Sequence, residues 1–360
     1  MADATVVGGL LEVAVFVLLG LALIWATPRW KPRNAALLAI LCVFAMAIAA
    51  FLAFRLQRQV FDAATPGVAL LLLFSTLLVM TLSEAARRRR ALEQLVQLQR
   101  EEAAVAAGEL QAAQRIQTGI LPRPELLHGE LRVDLAATMI PAREVGGDLY
   151  DFFLLDGDRL FFLVGDVAGK GLSASIFMAI SKALYKSATL RQPDAAISEL
   201  MRAANLEVSR DNPEMFFVTV FAGIVDLATG RLAYCNAGHE NPYLLMPEGG
   251  VPSRLADGAG PPLCTVDGFP YTAGSHQMRP DELLCLVTDG VVDAHDMREE
   301  RYGPARLQAV LVGPRLRPDP ARSVVDAVLA DVKSFVGAAE PADDITVLAL
   351  RWRGSGVSAR

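Results

Sequence analysis

GGDLYDFFLLDGDRLFFLVGDVAGKG, residues 146–171, reads as two apolar runs folded about an Asp-Gly-Asp. Residues 149–155 and 159–167 are rich in Leu, Phe and Val, and the turn-forming Asp156-Gly157-Asp158 between them makes the pair a β-hairpin. Asp148 and Asp166 each lie nine positions from Gly157, so a symmetric hairpin sets them opposite one another. Residues directly across an antiparallel pair have Cβ atoms roughly 4.5–5.5 Å apart, and like charges there repel. A divalent cation between them accounts for two facing carboxylates, because hard cations take oxygen ligands. The alternative is that the strand ends diverge and leave both as solvated turn residues. The hairpin by itself leaves both readings open.

Further strands follow the same texture. Residues 132–139, 216–226, 231–235, 283–288 and 345–352 are short β-type runs bounded by turn residues. Residues 173–190, 194–210 and 320–336 read as helices, with Asp194 as an N-cap. Strands and helices are grouped rather than alternating, which predicts an α+β fold. The strand 283–288 ends in Asp289, and 345–352 opens after Asp343-Asp344. Ends of neighbouring strands share one rim of a sheet, so these carboxylates can converge with Asp148 and Asp166. Carboxylates without a His or Cys cluster point to Mg²⁺ or Mn²⁺ rather than zinc or copper.

Upstream the chain is of another kind. Hydrophobic residues make up 53% of the 360 and charged residues 21%, an apolar excess concentrated near the N-terminus. Residues 6–26, 35–54 and 66–82 are apolar, with Glu12 as the one charge. A bilayer core takes roughly 20 apolar residues per helix, so three transmembrane helices are expected within a membrane region, 1–83. Arg29, Lys31 and Arg33 lie in the first connection and an RRRR block at 87–90 follows the third span, against Arg55, Arg58 and Asp62 in the second connection. Positive-inside logic then puts the N-terminus outside and everything after the third span in the cytoplasm: a multi-pass protein of the cytoplasmic membrane. The RRRR block reads as a stop-transfer anchor or as an anionic-lipid site.

Residues 84–120 are rich in Ala, Leu, Glu, Gln and Arg and lack proline, so they read as a connecting helix. Leu110, Ala113, Gln117 and Ile120 keep a 3-4-3 seam that suits a homodimer, although Glu102 and Gly108 break the heptad. Beyond residue 82 the chain holds 29 basic and 37 acidic residues, a net of −8. Nucleic-acid binding is therefore not expected. Residues 121–353 form the soluble domain, and 354–360 a flexible tail. The four cysteines show no CxxC spacing, so neither a disulfide framework nor a zinc site is indicated. The segment 165–171 departs from a P-loop, with three residues between its glycines and Gly171 after the lysine.

Seven ordered blocks carry a family resemblance: AAQRIQTGILP (112–122), PAREVGGDLYDFF (141–153), GDVAGKGLSA (165–174), MFFVTVFAGIVD (215–226), NAGHENP (236–242), LVTDGVVDA (286–294) and DDITVLALR (343–351). Together they resemble the SpoIIE/RsbU-type serine phosphatases, the bacterial branch of the metal-dependent protein phosphatase (PPM, phosphatase 2C-like) family. The resemblance implies an α-β-β-α sandwich with two Mn²⁺ or Mg²⁺ ions at one rim. It implies Asp148, Asp166, the Val167 backbone carbonyl, Asp289 and Asp343 as metal ligands, with Asp166 bridging both ions. Asp148 and Asp166 would thereby hold the water that attacks. Asp344 ranks below Asp343 as a ligand, since successive strand side chains face opposite ways. Gly147 lies within the GGD block. Arg143 reads as a contact to the substrate phosphate or, preferably, as an exposed structural arginine; Asn236 and His239 shape the site or form a rigid turn. Ala168 stands where animal-type relatives carry a histidine, which leaves the leaving-group acid unassigned. Gly260-Pro261-Pro262-Leu263-Cys264 departs from the family's Leu-Gly ending.

The function implied is a membrane-anchored protein serine/threonine phosphatase in a partner-switching or related signalling pathway. Its substrate would be a phosphoserine protein, an anti-sigma-factor antagonist of the STAS kind. Two alternatives stand beside it: a non-catalytic membrane scaffold with a phosphatase-like domain, and a hydrolase of small phosphoesters.

Overall fold

The computed structural model describes residues 2–57, 64–127, 129–210, 212–312 and 321–356, in two compact units, 1–105 and 106–360. Arg58, Asp62, His128, Pro320 and the last four residues of the predicted tail lie outside the described residues.

The first unit is built from helices α1 (Ala2–Ala26), α2 (Pro32–Gln57) and the first part of α3 (Ala64–Ile120). Its small core joins Leu23 of α1, Ala35, Ala39, Cys42 and Met46 of α2, and Leu70 and Phe74 of α3. Ala35 and Ala39, four apart on α2, put small side chains on the face that lines this core. Among the described residues one helical run, Gly67–Leu127, is long and apolar enough to cross a membrane, and Val13–Ala26 and Arg33–Ile48 are shorter apolar helices. The third apolar stretch and the connecting segment are one uninterrupted helix of 57 residues. Pro66 does not delimit it, because it falls in the first turn, where the missing N–H leaves no helical bond unmade.

The second unit holds the α+β fold. A 3-10 turn (Pro124–Leu127) leads into strands β1 (Val133–Ile140), β2 (Asp148–Leu154) and β3 (Arg159–Val167), then helices α4 (Leu172–Arg191) and α5 (Ile197–Arg210). Strands β4 (Val218–Asp226), β5 (Arg231–Ala237), β6 (Tyr243–Leu245), β7 (Ser253–Arg254), β8 (Ala259–Gly260), β9 (Gly274–Gln277) and β10 (Leu283–Val287) follow. The chain ends through α6 (Asp289–Val292), α7 (Gly303–Val312), α8 (Ala321–Val336) and β11 (Ile345–Trp352). One sheet runs β1-β11-β10-β6-β7, the other β2-β3-β4-β5-β8 with β9 on β5.

Strand alternation separates three layers of core. Leu160, Phe162 and Val164 of β3 meet Leu284 and Leu286 of β10 and Leu348 and Leu350 of β11 between the sheets. The intervening Phe161 and Leu163 face Met178, Tyr185, Leu200 and Met201 of α4 and α5. On the far side Cys285, Val287, Val347 and Ala349 pack against Leu307, Val324, Val325 and Val328 of α7 and α8. The result is a four-layer α-β-β-α sandwich. A buried pair, Lys182 Nζ to Asp151 Oδ2 at 2.8 Å, ties α4 to β2 three residues from Asp148.

Most predicted elements fall within two residues of the observed ones. Asp194 is an exception: it precedes the helix and pairs with Arg159 at 2.9 Å, while α5 begins at Ile197. Asp289 does not close a strand but opens α6, directly after β10.

Candidate active site

The hairpin register pairs Asp148 with Asp166 across β2 and β3. Asp148 is 1% exposed. Its Oδ2 accepts hydrogen bonds from the Thr288 hydroxyl at 2.8 Å and the Thr346 hydroxyl at 2.6 Å. The Thr346 N–H in turn donates to Thr288 Oγ1 at 2.9 Å, so the ends of β10 and β11 hold one carboxylate oxygen in place. Burial, then the charge of Asp166, pushes the Asp148 pKa well up. Burial followed by Asp289, Asp343 and Asp344 raises Asp166 to about 7. Asp289 is raised too, by burial and then by Asp343 and Asp293. Carboxylates from β2, β3, the start of α6 and the approach to β11 therefore share one electrostatic neighbourhood.

The two adjacent aspartates at 343–344 divide their work. The Asp344 carboxylate is buried and accepts from the Ala142 N–H at 2.8 Å and the Gly147 N–H at 2.6 Å. It clamps the loop between β1 and β2 that delivers Asp148. Asp343 is more open and pairs with Lys170 Nζ at 2.9 Å; the same ammonium donates to the Ala342 carbonyl. Three glycines allow this close fit. A Cβ on Gly147 would lie 2.6 Å from the Val167 carbonyl oxygen, and one on Gly146 or Gly290 would overlap the Asp344 carboxylate or its backbone carbonyl.

Gln117 was not singled out for chemistry in the sequence, yet it holds the same loop. Its amide donates to the Gly146 carbonyl at 2.6 Å and accepts from the Gly146 N–H at 3.1 Å. Thr288, Thr346 and Lys170 are likewise new, and the signal for them was proximity in sequence: Thr288 precedes Asp289, Thr346 lies two residues after Asp344, and Lys170 stands between Gly169 and Gly171. Asn236 and His239 make a closed turn: the Asn236 amide donates to the His239 carbonyl and to Asn241 Oδ1, both at 2.9 Å, and accepts from the His239 N–H at 2.8 Å. His239 is buried, which lowers its pKa. Arg143 is exposed on the β1–β2 loop.

Among the described residues no group of three or more His, Cys, Asp or Glu side chains is arranged so that it could hold a metal ion. The donor set nonetheless suits a hard divalent cation. All its members are oxygen donors, and burial together with mutual repulsion raises the pKa of Asp148, Asp166 and Asp289.

The sequence model of the family described as Stage II sporulation protein E (SpoIIE) matches residues 156–353, more than half the chain. The chain belongs to the SpoIIE family. The match includes Asp166, Asp289 and Asp343; Asp148 and its loop lie just upstream. Protein IcfG of Synechocystis sp. is 29% identical over 269 residues, covering 67% of this chain and 41% of IcfG. The phosphoserine phosphatase RsbP of Bacillus subtilis is 27% identical over 187 residues, covering 51% and 45% respectively. The chain thus spans less than half the length of these curated relatives. Among solved structures, the SiaA-PP2C domain of Pseudomonas aeruginosa superposes with a TM-score of 0.61 at 21% identity, over 69% of this chain and 98% of that domain. The SpoIIE-family domain here accordingly has a phosphatase fold of the PP2C kind.

Proposed function

We propose that this chain is a membrane-anchored, metal-dependent protein serine/threonine phosphatase acting on phosphoserine in a partner-switching pathway. The observation that carries this is the gathering of Asp148, Asp166, Asp289 and Asp343 from four separate segments at one rim of a SpoIIE-family fold. Asp148, Asp166, Asp289, Asp343 and the Val167 carbonyl would hold two Mn²⁺ or Mg²⁺ ions. Bound there, the ions supply the Lewis-acid charge that activates water and offsets the charge of the phosphoryl oxygens.

The chain's own residues prepare this chemistry. Thr288 and Thr346 fix one Asp148 oxygen, and Asp344 and Gln117 hold the loop that positions it. Lys170 keeps a positive charge beside Asp343, at the edge a phosphate would approach. Direct attack by water is the expected route, because the groups that meet here are carboxylates rather than a thiol or an imidazole.

The membrane anchor is proposed as three spans, near 6–26, 35–54 and 66–82, with the N-terminus outside and residues 121–353 as the cytoplasmic phosphatase domain. The apolar side chains on these helices support it: Leu18 is 67% exposed, Leu41 68% and Leu72 64%, a pattern that suits lipid rather than water. Residues 84–120 would form a dimerising connection, for which Leu92, Leu95 and Leu98 offer exposed apolar contact.

The substrate is proposed to be an anti-sigma-factor antagonist of the STAS kind. Its test is competition between a phosphoserine STAS-domain protein and p-nitrophenyl phosphate on the full chain. A protein phosphatase prefers the phosphoprotein by about 100-fold or more in kcat/KM, since contacts remote from the phosphate are used in the transition state. Equal or better use of the small ester would favour a hydrolase of small phosphoesters instead.

A further inference from the structure

Beside the acidic rim lies a cavity of about 420 Å³, walled mainly by Ile140, Ala294, Leu329, Val332, Val336 and Ile345. Its apolar walls come from α8 and from the facing ends of β1 and β11. Lys333 and Glu340, both exposed, and the half-buried His295 add polar groups to the lining. Gly290 and Asp343 line it as well. These are the residue after Asp289 and the partner of Lys170, so the cavity and the rim share a wall.

We propose that this cavity is a specificity pocket that takes an apolar side chain of the phosphoprotein, a few residues from its phosphoserine. The inference rests on the phosphatase reading above and names how that site selects among phosphoproteins. Phosphoserine presents the same small group in every substrate, so discrimination has to come from contacts beyond it. An extended chain advances about 3.3 Å per residue, which lets a side chain near the phosphoserine enter a cavity that borders the rim. A mainly apolar lining with a few charged groups, beside a polar rim, is the layout of an anchoring pocket in a protein interface.

The test uses the full chain and phosphoserine peptides of Gly/Ser background, each with a single Leu at one position within five residues of the phosphoserine. The readout is kcat/KM for each Leu peptide divided by that for the all-Gly/Ser phosphopeptide, measured on the same enzyme preparation. At one or two positions the ratio is expected to reach about ten- to a hundred-fold, the effect of burying one leucine. Filling the cavity with Ala330→Trp, or separately with Ala339→Trp, is expected to bring that ratio close to one; neither residue is fully buried. The pocket is ruled out if no Leu position is preferred, or if the preference survives both substitutions. Failure of the wild-type chain to hydrolyse any peptide or p-nitrophenyl phosphate would instead bring down the phosphatase reading, and the pocket with it.

Discussion

Asp166→Asn is expected to abolish phosphate release, by about a thousand-fold or more, while making the metal-free protein more stable. Removing one stabilising group at a reacting centre typically costs about 100- to 1,000-fold; Asp166 is proposed to serve both ions, so the larger loss is expected. The stability gain has a separate cause. In the metal-free fold burial, and then the charges of Asp289, Asp343 and Asp344, raise the Asp166 pKa to about 7, against about 3.9 in an unfolded chain. Between those values the native state binds the proton that the unfolded state has released. The contribution of this group to stability therefore falls as pH rises from about 4 to about 7. Asparagine carries no such charge. Thermal melts in chelator should show the Asp166→Asn protein gaining on the wild type as pH rises through this window, by about 1–3 kcal/mol at pH 7.5, or about 3–8 °C. Melts that run parallel across the window would mean that burial and the neighbouring carboxylates do not raise the Asp166 pKa in the native fold.

The second large effect is expected from Gly290→Ala. The new methyl would overlap the Asp344 carbonyl oxygen and stand 2.8 Å from its carbon, and both atoms are backbone. No side chain can move aside, so α6 must shift away from the start of β11. Overpacking of this kind costs about 3 kcal/mol or somewhat more, a fall of about 6–12 °C in Tm. The shift also carries Asp289 away from Asp343, and displacement of about 1 Å at a reacting centre can cost about 100-fold in rate. Gly157→Ala at the hairpin tip is the control. A Cβ there meets nothing within 4 Å, and the expected change is within about 0.5 kcal/mol.

What the sequence revealed and what it hid follow from the range of the interactions. The hairpin register follows the symmetric count, nine positions on either side of Gly157, which places Asp148 against Asp166; the loop alone left open whether the strand ends stay paired. The α+β class was legible from the grouping of strands and helices, and the sandwich from the family resemblance that the ordered blocks carry. The short strands β6 to β9 were not, since two to four residues carry too little periodicity. Nor was α7, which opens with Gly303-Pro304. The role of Asp344 was hidden for a different reason. Alternation along an ideal strand sends its side chain away from Asp343, but Asp344 lies before β11 begins and its carboxylate turns to two backbone N–H groups about 200 positions upstream. Gln117 reaches Gly146 across 29 residues, and helical periodicity marked it only as part of a seam.

The most direct measurement is phosphate release from a phosphoserine protein by the purified full chain, in chelator and then with Mn²⁺ or Mg²⁺ restored. The acidic rim as a metal-dependent hydrolytic centre predicts no release in chelator and recovery with either or both ions. Release that persists in chelator, or a folded chain that binds phosphoprotein but turns over none with any divalent ion, would contradict it and leave a phosphatase fold used as a scaffold.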